Sequence, residues 1–289
     1  MNAAGGRLDV RKTYKLFVGG AFPRSESGRS YPVSDARGKL LAQAAQGSRK
    51  DVRDAVLAAR KAQPGWAKAT AYNRGQVLYR IAEMLEGRHD QFVAEVKAAE
   101  GLRAAPARAV VDTAIDRWVW YAGWTDKYAQ IAGSTNPVAG PYFNFSFPEP
   151  TGVVGIVAPQ ESSLLGLISV LAPAIATGNT VVALTSQERP LPAISLSEVL
   201  ATSDLPGGVV NLLTGVTTEM SPWLASHKDV NAIDLTGVAE SDRAELQRSA
   251  ADTVKRVHLP QETDWFAAPQ LDRLAAFVET KTVWHPIGL

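Results

Sequence analysis

The side chains that could do chemistry in this sequence are hydroxyls, carboxylates and histidines, because its 289 residues include no cysteine. A thiolate nucleophile and a thiolate metal site are therefore absent from this sequence. Ser162 and Ser163 do not stand in a Gly-x-Ser-x-Gly pattern, so they do not indicate a nucleophilic serine. We expect no metal site, because the four histidines show no ligand spacing: His89, His227, His258 and His285.

Loop carboxylates are the remaining chemical feature. Glu161, Glu188 and Glu262 each follow an apolar run that predicts a buried strand. One hypothesis is therefore an enzyme whose acid–base chemistry is built around one of these carboxylates. Acidic residues in loops are more often simply solvated, and we favour that interpretation.

The elements that must position these loops are strands that alternate with helices. Helical spacing of leucine and isoleucine predicts a helix after each of the first two strands, and the loops are short. This alternation predicts an α/β fold with a doubly wound parallel sheet of about five strands. The strands are predicted from apolar runs at 152–158, 180–184, 209–213, 230–235 and 254–259.

Three motifs in this part of the chain, GVVGIVAP, APAIATGNTVV and LPGGVVN, resemble the cofactor-binding domain of the aldehyde dehydrogenase superfamily. The preceding residues, from LFVGGAF to Gly101, resemble the same family in order and spacing. The resemblance implies a Rossmann-like sheet with N-terminal wrapping helices. By this resemblance the chain is a short member of the superfamily that lacks the catalytic domain and the catalytic cysteine.

Two separated segments, 141–148 and 278–284, alternate apolar and polar residues as strands do. By resemblance they are the two parts of an oligomerisation arm. The arm residues expected to contact another subunit are Phe143, Phe145, Phe147, Val283 and Trp284. The resemblance implies four parts. Residues 1–139 are the N-terminal helical part of the cofactor-type domain, and residues 140–151 are an arm strand. Residues 152–259 are the Rossmann-like sheet, and residues 260–289 are a linker with the second arm strand.

The resemblance also implies which catalytic positions have changed. The family's nucleophilic cysteine has no counterpart. Glu161 stands where the family has the asparagine that stabilises an oxyanion, and Pro260 stands where it has the general-base glutamate. A carboxylate at Glu161 would repel a developing alkoxide, and the proline side chain at Pro260 cannot accept a proton. We therefore expect no catalytic residue at either position.

The cofactor positions are altered in the same way. Thr185 replaces the ribose-binding lysine, and Val238 replaces the serine that helps bind pyrophosphate. Asp242 replaces a later glycine and adds negative charge near a helix N-terminus. The cofactor-binding positions that remain, as vestiges, are Glu188, Gly215, Thr236 and Gly237.

These observations predict a catalytically inactive subunit that assembles with a full-length aldehyde dehydrogenase, or with itself as a homodimer, in a structural or regulatory role. The alternative is a module of the same family that still binds NAD or NADP, although no cofactor is the favoured expectation. A net charge of +1 gives no electrostatic basis for binding nucleic acid or a membrane. The first residues contain no apolar signal segment, so a cytoplasmic location is expected.

Overall fold

The computed structural model describes residues 12–259 and 263–288. In these ranges strands and helices alternate through the second half of the chain. The strands are β1 (Thr13–Tyr14), β2 (Ser30–Ser34), β3 (Leu40–Ala45), β4 (Ser134–Asn136), β5 (Tyr142–Pro150), β6 (Val153–Val157), β7 (Thr180–Leu184), β8 (Val210–Leu213), β9 (Ala232–Asp234), β10 (Arg256–His258) and β11 (Val278–Pro286). The helices are α1 (Arg49–Lys68), α2 (Ala71–Glu86), α3 (His89–Glu100), α4 (Ala104–Trp124), α5 (Tyr128–Ala132), α6 (Leu165–Ala176), α7 (Leu191–Ala201), α8 (Thr217–Ser226), α9 (Glu240–Ala251) and α10 (Asp272–Ala275).

The central sheet has five parallel strands in the order β10–β9–β6–β7–β8. From β6 the chain moves to β7 and β8 on one side, and then returns to β9 and β10 on the other side. The direction of winding therefore reverses between β6 and β9, and the predicted doubly wound α/β sheet is confirmed. In open α/β sheets, ligands bind outside the carboxyl ends of the strands at this reversal.

Helices cover both faces of the sheet, because the side chains of its strands are apolar on both faces. One face is covered by α6 and α7, with α2, α3 and α4 packed outside them, and the other is covered by α1, α8 and α9. Trp118 and Tyr121 of α4 are buried in the first of these cores. The helical spacing of apolar residues in this tryptophan-rich segment predicts that it packs against the sheet domain, and the burial of these two side chains confirms it.

Helix α1 is longer than the sequence pattern predicts. The pair Pro64–Gly65 predicts a helix end, but the helix continues to Lys68 with Pro64 on its exposed side. Trp66 explains the extra turn: its side chain is buried and its indole Nε1 donates a hydrogen bond to the Ile175 carbonyl at 2.9 Å. This tertiary contact holds the last turn of the helix despite the missing proline N–H.

A small sheet of β1, β3 and β2 at the N-terminal side was not indicated by the sequence pattern. The alternating apolar residues around Gly19 and Gly20 predict a strand pair with a tight turn, but in the structure this pair is reduced to isolated bridges, one of which joins Val18 to Ala21. The tight turn itself is present, since both glycines have positive φ values of 62° and 81°. The alternating residues before the turn instead reach the central sheet, where Phe17 pairs with Leu212 of β8.

The arm sheet consists of β4, β5 and β11, which are antiparallel and stand apart from the central sheet. Strands β5 and β11 pair over their full length, from Val278 opposite Pro150 to Pro286 opposite Tyr142. Strand β11 is one edge of this sheet, and most of its residues are exposed.

Of the helices in the described ranges, none combines the length and hydrophobicity needed to cross a membrane.

Candidate functional site

The candidate site is the carboxyl edge of the central sheet, where β6 and β9 end side by side. The sequence-predicted positions Glu161, Thr236 and Gly237 follow these two strands, so the fold brings them to one edge. Glu188 and Gly215 lie farther along the same edge, after β7 and β8. Pro260 and Glu262 lie outside the described residues, so their predicted roles stay predictions.

Glu161 is held by residues from two other parts of the chain. Its Oε1 accepts a hydrogen bond from the indole Nε1 of Trp265 at 3.2 Å. Its backbone carbonyl accepts one from Arg189 Nη1 at 2.5 Å. An ionised carboxylate is only an acceptor, so Glu161 cannot donate a hydrogen bond to an oxyanion in the way an asparagine does.

The end of β9 is built around a buried charge. Asp234 has no exposed surface, and its Oδ2 lies 3.2 Å from Arg273 Nη1 of α10. Its Oδ1 accepts hydrogen bonds from the backbone N–H of Thr236, at 2.8 Å, and from the Thr236 hydroxyl. The retained threonine thus satisfies the buried carboxylate, which is a structural reason for its presence.

Gly237 is required by a close approach of two backbones. Its N–H donates to the Val157 carbonyl at 2.8 Å. A Cβ at this position would lie 1.8 Å from the Ala158 carbonyl oxygen, far inside van der Waals contact. The turn after β9 therefore packs directly onto the end of β6, and this contact needs glycine whether or not a ligand binds.

Two glutamines connect the loops at this edge, a role that the sequence analysis did not identify. Gln160 Oε1 accepts a hydrogen bond from the Gln187 backbone N–H at 2.9 Å. Gln187 Oε1 in turn accepts one from the backbone N–H of Thr217, the first residue of α8, at 3.3 Å. The only sequence signal for this connection is that each glutamine closely follows a predicted buried strand.

The N-termini of α6 and α9 at this edge lie beside carboxylates of the chain itself. Before α6, Glu100 Oε1 accepts hydrogen bonds from the Ser163 backbone N–H at 2.8 Å and from the Ser163 hydroxyl at 2.7 Å. Glu240 and Asp242 lie in the first turn of α9. Helix N-termini attract anions, and here acidic side chains from the chain itself already lie near these two.

Most of the other positions that the resemblance marks for cofactor binding are buried or in close backbone contact. Thr185 is 1% exposed, and its hydroxyl donates to the Leu213 carbonyl at 3.3 Å. Val238 is buried in the core beneath α9. Gly215 has a φ of 139°, and a Cβ there would lie 2.9 Å from the Gly47 backbone nitrogen. Only Glu188 is exposed to solvent.

Taken together, these side chains are a poor fit for a dinucleotide. A pyrophosphate needs hydrogen-bond donors or cations, whereas the N-termini of α6, α8 and α9 already have acidic or amide acceptors beside them. Thr185 and Val238, the positions at which the resemblance implies a ribose-binding lysine and a pyrophosphate-binding serine, are both buried.

Charged groups beneath the edge form a compact cluster. Arg117 of α4 is 6% exposed, and its Nη2 donates to the carbonyls of Trp265 at 2.7 Å and Ala267 at 3.1 Å. Burial lowers the pKa of Arg117. Burial also lowers the pKa of His258, which the nearby Asp234 carboxylate partly offsets.

Over residues 12–259 and 263–288, no group of three or more histidine, aspartate and glutamate side chains could hold a metal ion.

The predicted arm residues occupy the two faces of the arm sheet. The Phe145 ring centroid lies 5.4 Å from that of Phe143 and 5.9 Å from that of Phe147, and Phe145 pairs with Val283 across the strands. Trp284 pairs with Asn144, so it lies on the opposite face. There its ring meets that of Tyr142 edge to face, with centroids 5.7 Å apart.

Comparison with known proteins gives one consistent result. The sequence model of the aldehyde dehydrogenase family matches residues 22–262. The chain is 34% identical, over 252 residues, to the mitochondrial benzaldehyde dehydrogenase of Antirrhinum majus, covering 85% of this chain and 46% of the relative. It is 32% identical, over 251 residues, to the human mitochondrial aldehyde dehydrogenase, covering 85% and 48%.

Solved structures agree with the sequence comparison. The NAD+ complex of an aldehyde dehydrogenase from Bacillus cereus superposes with a TM-score of 0.81 and 26% identity, covering 86% of this chain and 50% of that one. HpcC from Thermus thermophilus superposes with a TM-score of 0.80 and 33% identity, covering 86% and 48%. The chain thus spans about half the length of the relatives it matches.

Proposed function

The chain belongs to the aldehyde dehydrogenase family, and from that premise we propose that it is a non-catalytic cytoplasmic subunit that assembles with a full-length aldehyde dehydrogenase. Its role in that assembly is structural or regulatory. The observation that carries the proposal is the absence of cysteine from all 289 residues. The family's nucleophile is a cysteine thiolate, which this sequence does not contain.

The candidate site supports the same proposal. At the position of the oxyanion-stabilising asparagine, the Glu161 carboxylate is bound to Trp265. The side chains around it stabilise the fold of the edge: Gln160 joins loops, and Thr236 satisfies a buried aspartate. These contacts preserve the sheet while supplying neither an oxyanion donor nor a nucleophile.

The arm sheet is the proposed contact surface. Phe143 is 47% exposed and Trp284 is 58% exposed, although both are large aromatic side chains. Strand β11 is a sheet edge whose outer backbone groups are available for pairing with another chain. An aromatic surface beside an open strand edge favours a protein partner. Because the chain has the family fold, we propose that the partner is a full-length member of this family.

Co-purification tests the assembly. The tagged chain is expressed in its native host, and the proteins that purify with it are identified together with the native mass of the complex. We expect a full-length aldehyde dehydrogenase in a fixed ratio. The double variant Phe143→Ala/Trp284→Ala should lose this partner. Trp223→Ala, which removes a 41% exposed tryptophan from α8, should keep it. A lone monomer or a homodimer of the wild-type chain would contradict the proposal.

The second proposal is a module that retains dinucleotide binding. It is favoured by the shared fold, because a similar solved structure is an NAD+ complex, and by the solvent-exposed Glu188. Titration with NAD and NADH while following thermal unfolding separates the two proposals, since a ligand that binds only the folded state raises its stability. Binding well below millimolar concentration would favour the second proposal.

A further inference from the structure

Residues 264–277, here named the strap, connect two opposite edges of the central sheet. Strand β10 ends with His258 at the carboxyl edge. Strand β11 begins at the amino edge, where the Phe277 carbonyl accepts a hydrogen bond from the Thr151 N–H at 3.1 Å. The strap must therefore run along one face of the sheet, and its contacts show which face this is.

The middle and end of the strap are anchored in the core on the α4 and α6 face. Leu274 and Phe277 are each only 1% exposed, and α10 packs against α6. Arg117 of α4 holds the start of the strap through the carbonyls of Trp265 and Ala267. The strap is thus an ordered part of the fold with buried contacts at both ends.

Two strap side chains reach the point where the winding of the sheet reverses. Trp265 contacts Glu161, which follows β6. Arg273 forms an ion pair with Asp234, the last residue of β9. Its guanidinium also lies 5.6 Å from the centre of the Trp265 ring. Strands β6 and β9 are neighbours, so the strap lies across the crevice between their carboxyl ends.

The charges in this contact are balanced. Arg117 and Arg273 supply two positive charges, and Asp234 and Glu161 supply two negative charges. Asp234 is fully buried and Arg273 is 17% exposed in its side chain, so each depends on the other for compensation. A simple connecting loop does not require a buried ion pair with the end of a central strand, so this contact indicates that the strap has a defined position on the sheet.

We propose that the strap is an intramolecular cover that closes the β6–β9 crevice, with the Trp265–Glu161 hydrogen bond and the Arg273–Asp234 ion pair as its two fastenings. The cover opens locally, without unfolding of the sheet, when the first fastening is lost. This inference does not depend on a partner subunit: the crevice is closed by the chain itself, whether or not the arm binds another protein.

Native-state proteolysis tests local opening in the full chain. Trypsin cleaves after Arg273 only when the strap opens, whereas it cleaves after the exposed Arg37 in the β2–β3 turn without such opening. In the wild-type chain we expect cleavage at Arg273 to be much slower than at Arg37. Trp265→Ala should accelerate cleavage at Arg273 by about tenfold or more, because cleavage follows the population of the open form. Trp223→Ala is the matched control and should leave the rate unchanged.

A single-thiol probe tests access to the crevice. Because the chain has no cysteine, Thr236→Cys introduces one thiol beside Asp234. We expect dithionitrobenzoate to react with it slowly, and about tenfold faster when Trp265→Ala is added. Equal reaction rates in the two backgrounds, or equally fast cleavage at Arg273 and Arg37 in the wild-type chain, would overturn the proposal.

A third variant covers the case in which Trp265→Ala unfolds the whole protein. Glu161→Ala removes the acceptor from an exposed loop residue and leaves the tryptophan in place. Cleavage at Arg273 should then rise while the thermal unfolding midpoint stays close to that of the wild-type chain. An unchanged cleavage rate in this folded variant would equally overturn the proposal.

Discussion

The side-chain amide nitrogen of Asn179 donates a hydrogen bond to the backbone carbonyl of Phe277 at 2.8 Å. The oxygen of the same amide accepts a hydrogen bond from the Gly152 N–H at 2.8 Å. Gly152 lies between β5 and β6, and Phe277 directly precedes β11. One fully buried side chain therefore fixes both segments of the arm sheet to the amino edge of the central sheet.

Replacing this asparagine should destabilise the protein strongly. Asn179→Ala leaves the buried Gly152 N–H without its partner and removes one of the two hydrogen bonds to the Phe277 carbonyl, the other coming from the Thr151 N–H, so we expect the free energy of unfolding to fall by about 2–4 kcal/mol. Chemical denaturation of the wild-type and variant chains measures this change. Asn73→Ala, at an exposed position on α2, should change stability by less than about 0.5 kcal/mol. Similar effects of the two variants would refute the assigned role.

Two glycines of the chain should respond to alanine in opposite ways. At Gly237 the added methyl group meets the Ala158 carbonyl oxygen at 1.8 Å, so we expect Gly237→Ala to cost about 3 kcal/mol or more, or to prevent folding. At Gly65, within α1, the new Cβ has no neighbour within 4 Å. Gly65→Ala should therefore stabilise the protein by about 0.5–1 kcal/mol. Thermal unfolding of both variants checks the two signs.

The central sheet was predictable because the chemistry that forms it is local. Apolar runs such as 180–184 are short, β-branched and bounded by turns, and a strand of that kind is buried on both faces. Turn glycines such as Gly19 and Gly20 were predictable for the same reason, since their positive φ values are a local requirement. The parallel order of strands followed from the alternation with helices.

The contacts that define the candidate site were not predictable, because they join residues that are distant in the sequence. Glu161 and Trp265 are 104 positions apart, and neither position shows a pattern that indicates the other. The end of α1 was wrongly predicted for a similar reason: a local proline signal was outweighed by the contact of Trp66 with Ile175. Local rules identify elements, whereas the partners of isolated polar side chains require the fold.

Acid should destabilise the protein in part through His258. Burial lowers the pKa of this histidine from its usual 6.5, which Asp234 partly opposes and Arg273 reinforces. A base with a lowered pKa in the folded state contributes stability that is fully present above about pH 6.5 and is lost as the pH falls through the folded-state pKa. Urea unfolding of wild-type and His258→Gln chains at about pH 7.5 and about pH 5 should show a larger loss for the wild type. Equal losses would contradict this assignment.

His89 should have the opposite pH dependence. Its Nε2 lies 2.7 Å from Asp112, and that hydrogen bond is the main cause that raises its pKa above 6.5, with Asp90 adding to it and Arg108 opposing it. A raised pKa contributes stability that is present below about pH 6.5 and is lost as the pH rises through the folded-state pKa. His89→Gln should therefore destabilise the protein more at about pH 5.5 than at about pH 8, again by urea unfolding. A constant difference would exclude a titrating ion pair.

Ion pairs of this chain should differ in strength according to their burial. Arg273→Gln leaves the fully buried Asp234 without its cation, so we expect a loss of about 3–5 kcal/mol in the free energy of unfolding. The exposed pair of Arg80 and Glu83 has side chains that are 48% and 49% accessible. Arg80→Gln should therefore change stability by less than about 0.5 kcal/mol, because water and salt already solvate both charges. Chemical denaturation of the two variants compares them directly.

Adding Asp234→Asn to Arg273→Gln separates the ion pair from simple packing. The second substitution removes the uncompensated buried charge, so the double variant should recover part of the stability lost by Arg273→Gln alone. Strictly additive losses would show that the two side chains act independently. Partial recovery is the result expected if Asp234, at the end of β9, is buried as a charged group whose counterion is the guanidinium of the strap.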